Sequence, residues 1–96
     1  MDLAGRLKEK REAILQAAAR RGAYNVRVFG SVVRGDANDK SDIDFLIDLE
    51  TGRSLLDVGG LLMDLRQLLG CKVDVVTENG LKDSIRDDVL REAVSL

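Results

Sequence analysis

Two adjacent residues, Gly30 and Ser31, follow a short run of alternating apolar residues and have the types that bind phosphate. A glycine lets a phosphate approach the backbone closely, because it has no side chain. A serine that opens a helix can add its hydroxyl to the free N–H groups and partial positive charge of the helix start. An ordinary strand–turn–helix with a serine cap is the alternative, and the pair alone does not distinguish the two.

Three aspartates lie on two segments that read as strands, Asp42 and Asp44 on one and Asp74 on a later one. The two-residue period of a strand puts Asp42 and Asp44 on one face, roughly 6.6 Å apart. Aspartate is disfavoured in strands, and carboxylates on one face repel each other. A divalent cation between them would offset that repulsion, and hard oxygen ligands suit Mg²⁺ or Mn²⁺. If the two strands are neighbours, Asp74 joins the same site; otherwise each aspartate belongs to a solvated strand face.

The composition leaves few other groups for such chemistry. There is no histidine, the commonest zinc ligand and general base, and the single cysteine, Cys71, excludes an intramolecular disulfide. A net charge of −2 and an aromatic content of 3% argue against direct nucleic-acid binding. No apolar run is long enough to span a membrane, and the first residues lack a signal-peptide core, so we expect a cytoplasmic protein.

Helices and strands alternate along the chain in the predicted order α-β-α-β-α-β-α. Helical spacing predicts helices over residues 3–21, 31–34, 55–69 and 81–93, and alternation predicts strands over residues 25–29, 41–49 and 72–77. Gly59 and Gly60 interrupt the third helical segment, and they mark either a break between two short helices or a close backbone contact. We therefore expect an α/β (α+β) fold, with a small mixed sheet flanked by helices, in which residues 1–96 form a single domain.

Taken together, these features form the pattern Gly-Ser-x10-Asp-x-Asp, with a third aspartate on a later strand. Their wider context is Phe-Gly-Ser-Val-Val-Arg-Gly, Ser-Asp-Ile-Asp-Phe-Leu-Ile and Val-Asp-Val-Val-Thr. The pattern resembles the signature of the DNA polymerase β-like nucleotidyltransferase superfamily over residues 24–94. It is most similar to the minimal nucleotidyltransferases, which are antitoxins paired with HEPN ribonuclease toxins.

The resemblance implies a metal site and a nucleotide site. Asp42 and Asp44 would ligate two Mg²⁺ ions, with Mn²⁺ as an alternative. Asp74 would complete the metal site and help to deprotonate the acceptor hydroxyl.

For the nucleotide, the resemblance implies that Gly30 and Ser31 bind the triphosphate of ATP. Arg34 and Ser41 lie beside the motif and could touch phosphate, although Arg34 could equally contact a partner or form a surface ion pair. Asp48, further along the same strand, is expected to be peripheral.

The implied function is that of an Mg²⁺-dependent protein adenylyltransferase. It would transfer AMP from ATP to a hydroxyl, expected to be a tyrosine, of a HEPN toxin, and so act as the antitoxin. Two alternatives stay open: an antitoxin that neutralises the toxin by binding alone, and a transfer subunit that acts on a small molecule or an RNA. A homodimer or a hetero-oligomer with the partner is compatible with so small a domain.

Overall fold

The computed structural model describes residues 2–38 and 40–96. In chain order its elements are α1 (Leu3–Glu9), α2 (Arg11–Arg20), β1 (Ala23–Phe29), α3 (Ser31–Arg34), β2 (Ile43–Leu49), α4 (Leu55–Leu69), β3 (Val73–Thr77), a 3₁₀ turn (Glu78–Gly80), α5 (Asp83–Glu92) and β4 (Val94–Ser95). Two features of this order were not predicted, the break between α1 and α2 and the short strand β4. Within the described ranges, none of the helices combines the length and the apolar character needed to cross a membrane.

The four strands form one mixed sheet in the order β3-β2-β1-β4, which confirms the predicted sheet type. β1 runs antiparallel to β2 and to β4, whereas β3 runs parallel to β2. A parallel pair needs a crossover connection, and α4 supplies it between β2 and β3. The central position of β2 means that its residues lie beside both β1 and β3.

The two faces of the sheet contact different apolar clusters. Along β2, the buried side chains of Ile43, Phe45 and Ile47 face the larger cluster, and the alternating residue Leu46 belongs to the smaller one. The larger cluster includes residues from α1, α2 and α4, namely Leu3, Leu7, Ile14, Ala17, Ala18, Leu61, Leu65 and Leu69. The smaller cluster includes Val89 of α5. By the same alternation, Asp44 lies on the α5 side of the sheet.

The predicted helix over residues 3–21 is two helices, because Lys10 leaves helical geometry at φ −98° and ψ 7°. Leu3 and Leu7 of α1 and Ile14 of α2 are all buried in the same cluster. The break at Lys10 therefore lies between two helices that pack in one core cluster. The sequence around Lys10 contains no proline or glycine to signal the break.

The glycines of the third helical segment do not break it, since α4 is continuous from Leu55 to Leu69. A Cβ atom at Gly60 would lie 2.5 Å from Nη1 of Arg21, whose guanidinium crosses the helix to reach Asp64 at 3.0 Å (Nε to Oδ2). Gly60 therefore agrees with the close-contact interpretation. Leu55, the first residue of α4, is 83% exposed.

Candidate active site

Gly30 joins β1 to α3 in a backbone conformation that only glycine adopts without strain, with φ +80° and ψ −151°. The same position has no room for a side chain, because a Cβ atom would lie 2.4 Å from Oδ2 of Asp44. Gly30 is also the residue that caps α3, whereas the sequence predicted Ser31 as the cap; Ser31 is the first residue of the helix. The turn at Gly30 and Ser31 is thus packed directly against the Asp44 carboxylate. It is named the phosphate turn after the phosphate contacts that the sequence predicts for it.

The sheet register brings two of the three aspartates side by side. Asp44 pairs with Phe29 of β1 on one side and with Asp74 of β3 on the other. Neighbouring strands are about 4.8 Å apart, and paired residues of a parallel ladder point to the same face. Asp42 is exposed and precedes β2, so it does not share the strand geometry that the sequence predicted for it.

The carboxylate of Asp44 lies in an environment that disfavours its charge. Partial burial raises its pKa, and the negative charges of Asp74 and Asp42 raise it further. Arg34 opposes this effect, whereas Glu92 adds to it. Negative charge is therefore concentrated around Asp44, and Arg34 offsets part of it.

The donor set at this position fits a hard divalent cation, because its ligand atoms are carboxylate oxygens and their mutual repulsion would be relieved by a positive charge. In residues 2–38 and 40–96, however, no three histidine, cysteine, aspartate or glutamate side chains are grouped closely enough to hold a metal ion as they stand. Asp44 and Asp74 are the adjacent pair, and the exposed residue Asp42 lies one position before the strand that carries Asp44. These three residues stay the predicted metal ligands.

The two remaining predicted residues, Arg34 and Ser41, have partners within the protein. Arg34 at the end of α3 contacts Glu92 at 2.9 Å (Nη1 to Oε1) and Asp36 at 3.6 Å (Nε to Oδ2). The hydroxyl of Ser41 accepts the backbone N–H of Asn38 at 3.0 Å and closes the turn before β2. Arg34 is thus next to the phosphate turn, while Ser41 has a role in the local turn.

Glu92 is a further residue at this site, and the sequence does not predict it. Oε2 of Glu92, the last residue of α5, accepts the backbone N–H of Gly30 at 3.0 Å, while its other oxygen accepts from Arg34. The two partners are 62 and 58 positions away along the chain, so no local pattern predicts the contact. The only sequence signal is an acid in the last turn of a helix, where the helix dipole favours cations.

Asp48, predicted to be peripheral to the site, makes its side-chain hydrogen bonds away from the phosphate turn. It accepts hydrogen bonds from Arg27 (Nη2 to Oδ1, 3.0 Å) and Asn25 (Nδ2 to Oδ2, 3.0 Å), both on β1. These hydrogen bonds link β1 to β2, so Asp48 has a structural role.

Comparison with known proteins shows the family to which the chain belongs. The nucleotidyltransferase domain family matches residues 7–96 of the chain. The protein adenylyltransferase MntA of Thermococcus cleftensis is 44% identical over 91 residues, which cover 90% of this chain and 92% of that protein.

Two solved structures are similar to the fold. One, of a predicted minimal nucleotidyltransferase, has a TM-score of 0.87 and 52% sequence identity, and covers 100% of this chain and 97% of its own. The other, a toxin–antitoxin structure with AMP-PNP, has a TM-score of 0.74 and 19% identity over 88% of this chain and 69% of its own, and shows likeness of fold alone. The chain therefore belongs to the nucleotidyltransferase domain family, the class of enzyme that its sequence predicts.

Proposed function

We propose that this protein transfers AMP from ATP to a hydroxyl group of a HEPN-type toxin, with a tyrosine as the acceptor, and thereby acts as an antitoxin. The observation that carries the proposal is the direct packing of the phosphate turn against Asp44, with Asp74 beside it in the sheet. The name of the Thermococcus cleftensis relative supports protein adenylylation, and the toxin–antitoxin structure with AMP-PNP supports a toxin partner and an adenine nucleotide.

The proposed roles follow from position. Gly30 and Ser31 bind the triphosphate through the phosphate turn, and Arg34 at the end of α3 contributes positive charge. Asp42, Asp44 and Asp74 would hold two Mg²⁺ ions, which when bound supply charge neutralisation for the in-line displacement. Ser41 would make a peripheral phosphate contact, because its hydroxyl already accepts a hydrogen bond from the backbone N–H of Asn38.

In the proposed reaction, the acceptor hydroxyl oxygen attacks the α-phosphorus of ATP. A bond forms between that oxygen and the α-phosphorus, the bond from the α-phosphorus to the bridging oxygen breaks, and pyrophosphate leaves with the electron pair. With no histidine in the chain, the hydroxyl proton passes to a carboxylate, and Asp74, the exposed member of the adjacent pair, is the acceptor that we propose.

The experiment uses the purified chain, Mg²⁺ and a purified HEPN-type toxin. ATP labelled at the α-phosphate should label the partner, whereas ATP labelled at the γ-phosphate should not, because the β- and γ-phosphates leave as pyrophosphate. The Asp42→Asn/Asp44→Asn double variant is expected to abolish labelling while staying folded. Undiminished labelling by that variant refutes the roles given to these aspartates.

An antitoxin that acts by binding alone is the second candidate. The observation in its favour is that Leu55 and Leu56, at the start of α4, are 83% and 87% exposed. If the double variant still neutralises the toxin and forms a stable complex with it, binding rather than AMP transfer is the antitoxin activity.

A further inference from the structure

Glu92 occupies the two donors that the proposed function assigns to the triphosphate. The Gly30 N–H donates to Oε2 of Glu92 at 3.0 Å, and Nη1 of Arg34 donates to Oε1 at 2.9 Å. A carboxylate held by a backbone N–H and a guanidinium uses the same contacts that hold a phosphate oxygen. Glu92 thus places an internal anion on the phosphate turn.

The position of Glu92 in its helix is unfavourable without these contacts. It ends α5, where the unpaired carbonyl groups and the helix dipole disfavour negative charge. It also lies within electrostatic reach of Asp44, whose charge it disfavours. The contacts with Gly30 and Arg34 offset that repulsion, so the carboxylate is bound to the phosphate turn in a setting that is otherwise repulsive.

We propose that Glu92 competes with the triphosphate for the phosphate turn and so sets the affinity of the site for ATP. This inference rests on the proposed function. The Gly30 N–H has one hydrogen and makes one good hydrogen bond, so a phosphate oxygen must replace Glu92 there. Arg34 has five N–H donors and can turn from the carboxylate to the phosphate. The side chain of Glu92 is 23% exposed, so part of it reaches solvent, and the competition requires it to rotate away from the turn when ATP binds.

The first test measures binding of ATP with Mg²⁺ by calorimetry. Glu92→Gln removes the charge and keeps the size, and it is expected to bind ATP about tenfold more tightly, because one close like charge is lost from an anion site. Asp87→Asn is the matched control: it removes the same charge from an exposed position of α5, five residues earlier and on a different face of the helix, and should leave the affinity unchanged. Unchanged or weaker binding by Glu92→Gln overturns the proposal and makes Glu92 a positioning residue for Arg34.

The second test uses the unaltered protein, so it does not depend on the folding of a variant. The side-chain carboxyl carbon of Glu92 and the amide of Gly30 are followed by NMR while ATP and Mg²⁺ are added. Both signals should shift together as the carboxylate leaves the amide, and a Glu92–Gly30 hydrogen bond that persists in the ATP-bound protein overturns the competition. If the unaltered chain binds ATP and Glu92→Gln binds no tighter, only this inference fails; if neither binds ATP, the proposed function fails as well.

Discussion

At the scale of single residues, Gly30 excludes a side chain for two separate reasons, its positive φ and the nearness of the Asp44 carboxylate. Gly30→Ala is expected to destabilise the fold by about 2 kcal/mol from the strained backbone, with a further loss from the contact with Oδ2 of Asp44. Urea denaturation measures the free energy of unfolding.

The control for Gly30→Ala is Gly52→Ala. Gly52 also has a positive φ, +91°, but a Cβ atom there would have no neighbour within 4 Å. The control variant therefore carries backbone strain without crowding. Equal losses of stability in the two variants would show that the contact with Asp44 contributes nothing.

Asp44 allows a prediction about pH, because its pKa is raised in the folded protein. Because the pKa is raised in the folded state, the protonated carboxyl group stabilises the fold at pH values below the unfolded-state pKa of about 3.9. This stabilisation is lost as the pH rises through the folded-state pKa. Asp44→Asn removes the charge, so the variant does not lose stability in this way as the pH rises. In EDTA at pH 7 we expect Asp44→Asn to raise Tm by about 2–5 °C, a gain that disappears as the pH falls towards 4.

Asp48→Asn provides a comparison of opposite sign on the same strand. Asp48 is paired with the largely buried Arg27, so loss of its charge should lower Tm at pH 7. Thermal melts of both variants at several pH values separate the two effects. A fall in Tm for Asp44→Asn at pH 7 would contradict the electrostatic picture of the site.

At the scale of elements, α4 has the best-defined start in the fold. The hydroxyl of Ser54 accepts the N–H of Leu56, and the side chain of Asp57 accepts the N–H of Ser54, which together form a capping box. Ser54→Ala should destabilise the protein by about 1 kcal/mol, because the free N–H groups lose their side-chain acceptor. Ser84→Ala, an exposed serine within α5, should change the free energy of unfolding by less than about 0.5 kcal/mol, and an equal effect of the two would argue against the cap.

The sequence predicts the helices and strands whose own residues show a helical or a strand period. Alternation in Ile43, Phe45 and Ile47 predicts β2 and its buried face. Apolar spacing predicts a helical segment over residues 55–69, but it leaves open whether the helix continues through Gly59 and Gly60, as it does in the structure. Strand β4 has two residues, too few to show a period, and it exists because it pairs with Arg27 and Val28 of β1. The break at Lys10 has no proline or glycine beside it to signal it, and the two helices on either side pack in the same core cluster.

The same distinction applies to the candidate site. The sequence predicts the strands that carry Asp44 and Asp74 but leaves open whether they are neighbours; the structure pairs these two residues and packs Asp44 against Gly30. Glu92 could not be found in this way, because its contact depends on how α5 packs over the sheet. The motif thus names the candidate site residues, whereas the charges that surround them are set by packing.

At the scale of the whole molecule, a domain of 96 residues buries a modest share of its chain and gains measurably from any ligand that binds only the folded state. ATP with Mg²⁺ at 100 times its Kd should add about 2.7 kcal/mol, which for this size corresponds to a rise in Tm of roughly 10 °C or more. Thermal melts of the unaltered protein should show this rise with ATP and Mg²⁺ and little of it with ATP and EDTA. The Asp42→Asn/Asp44→Asn variant should show no Mg²⁺-dependent part, because the predicted ligands are gone. An equal rise in that variant would mean that the nucleotide is held without a metal site at these aspartates.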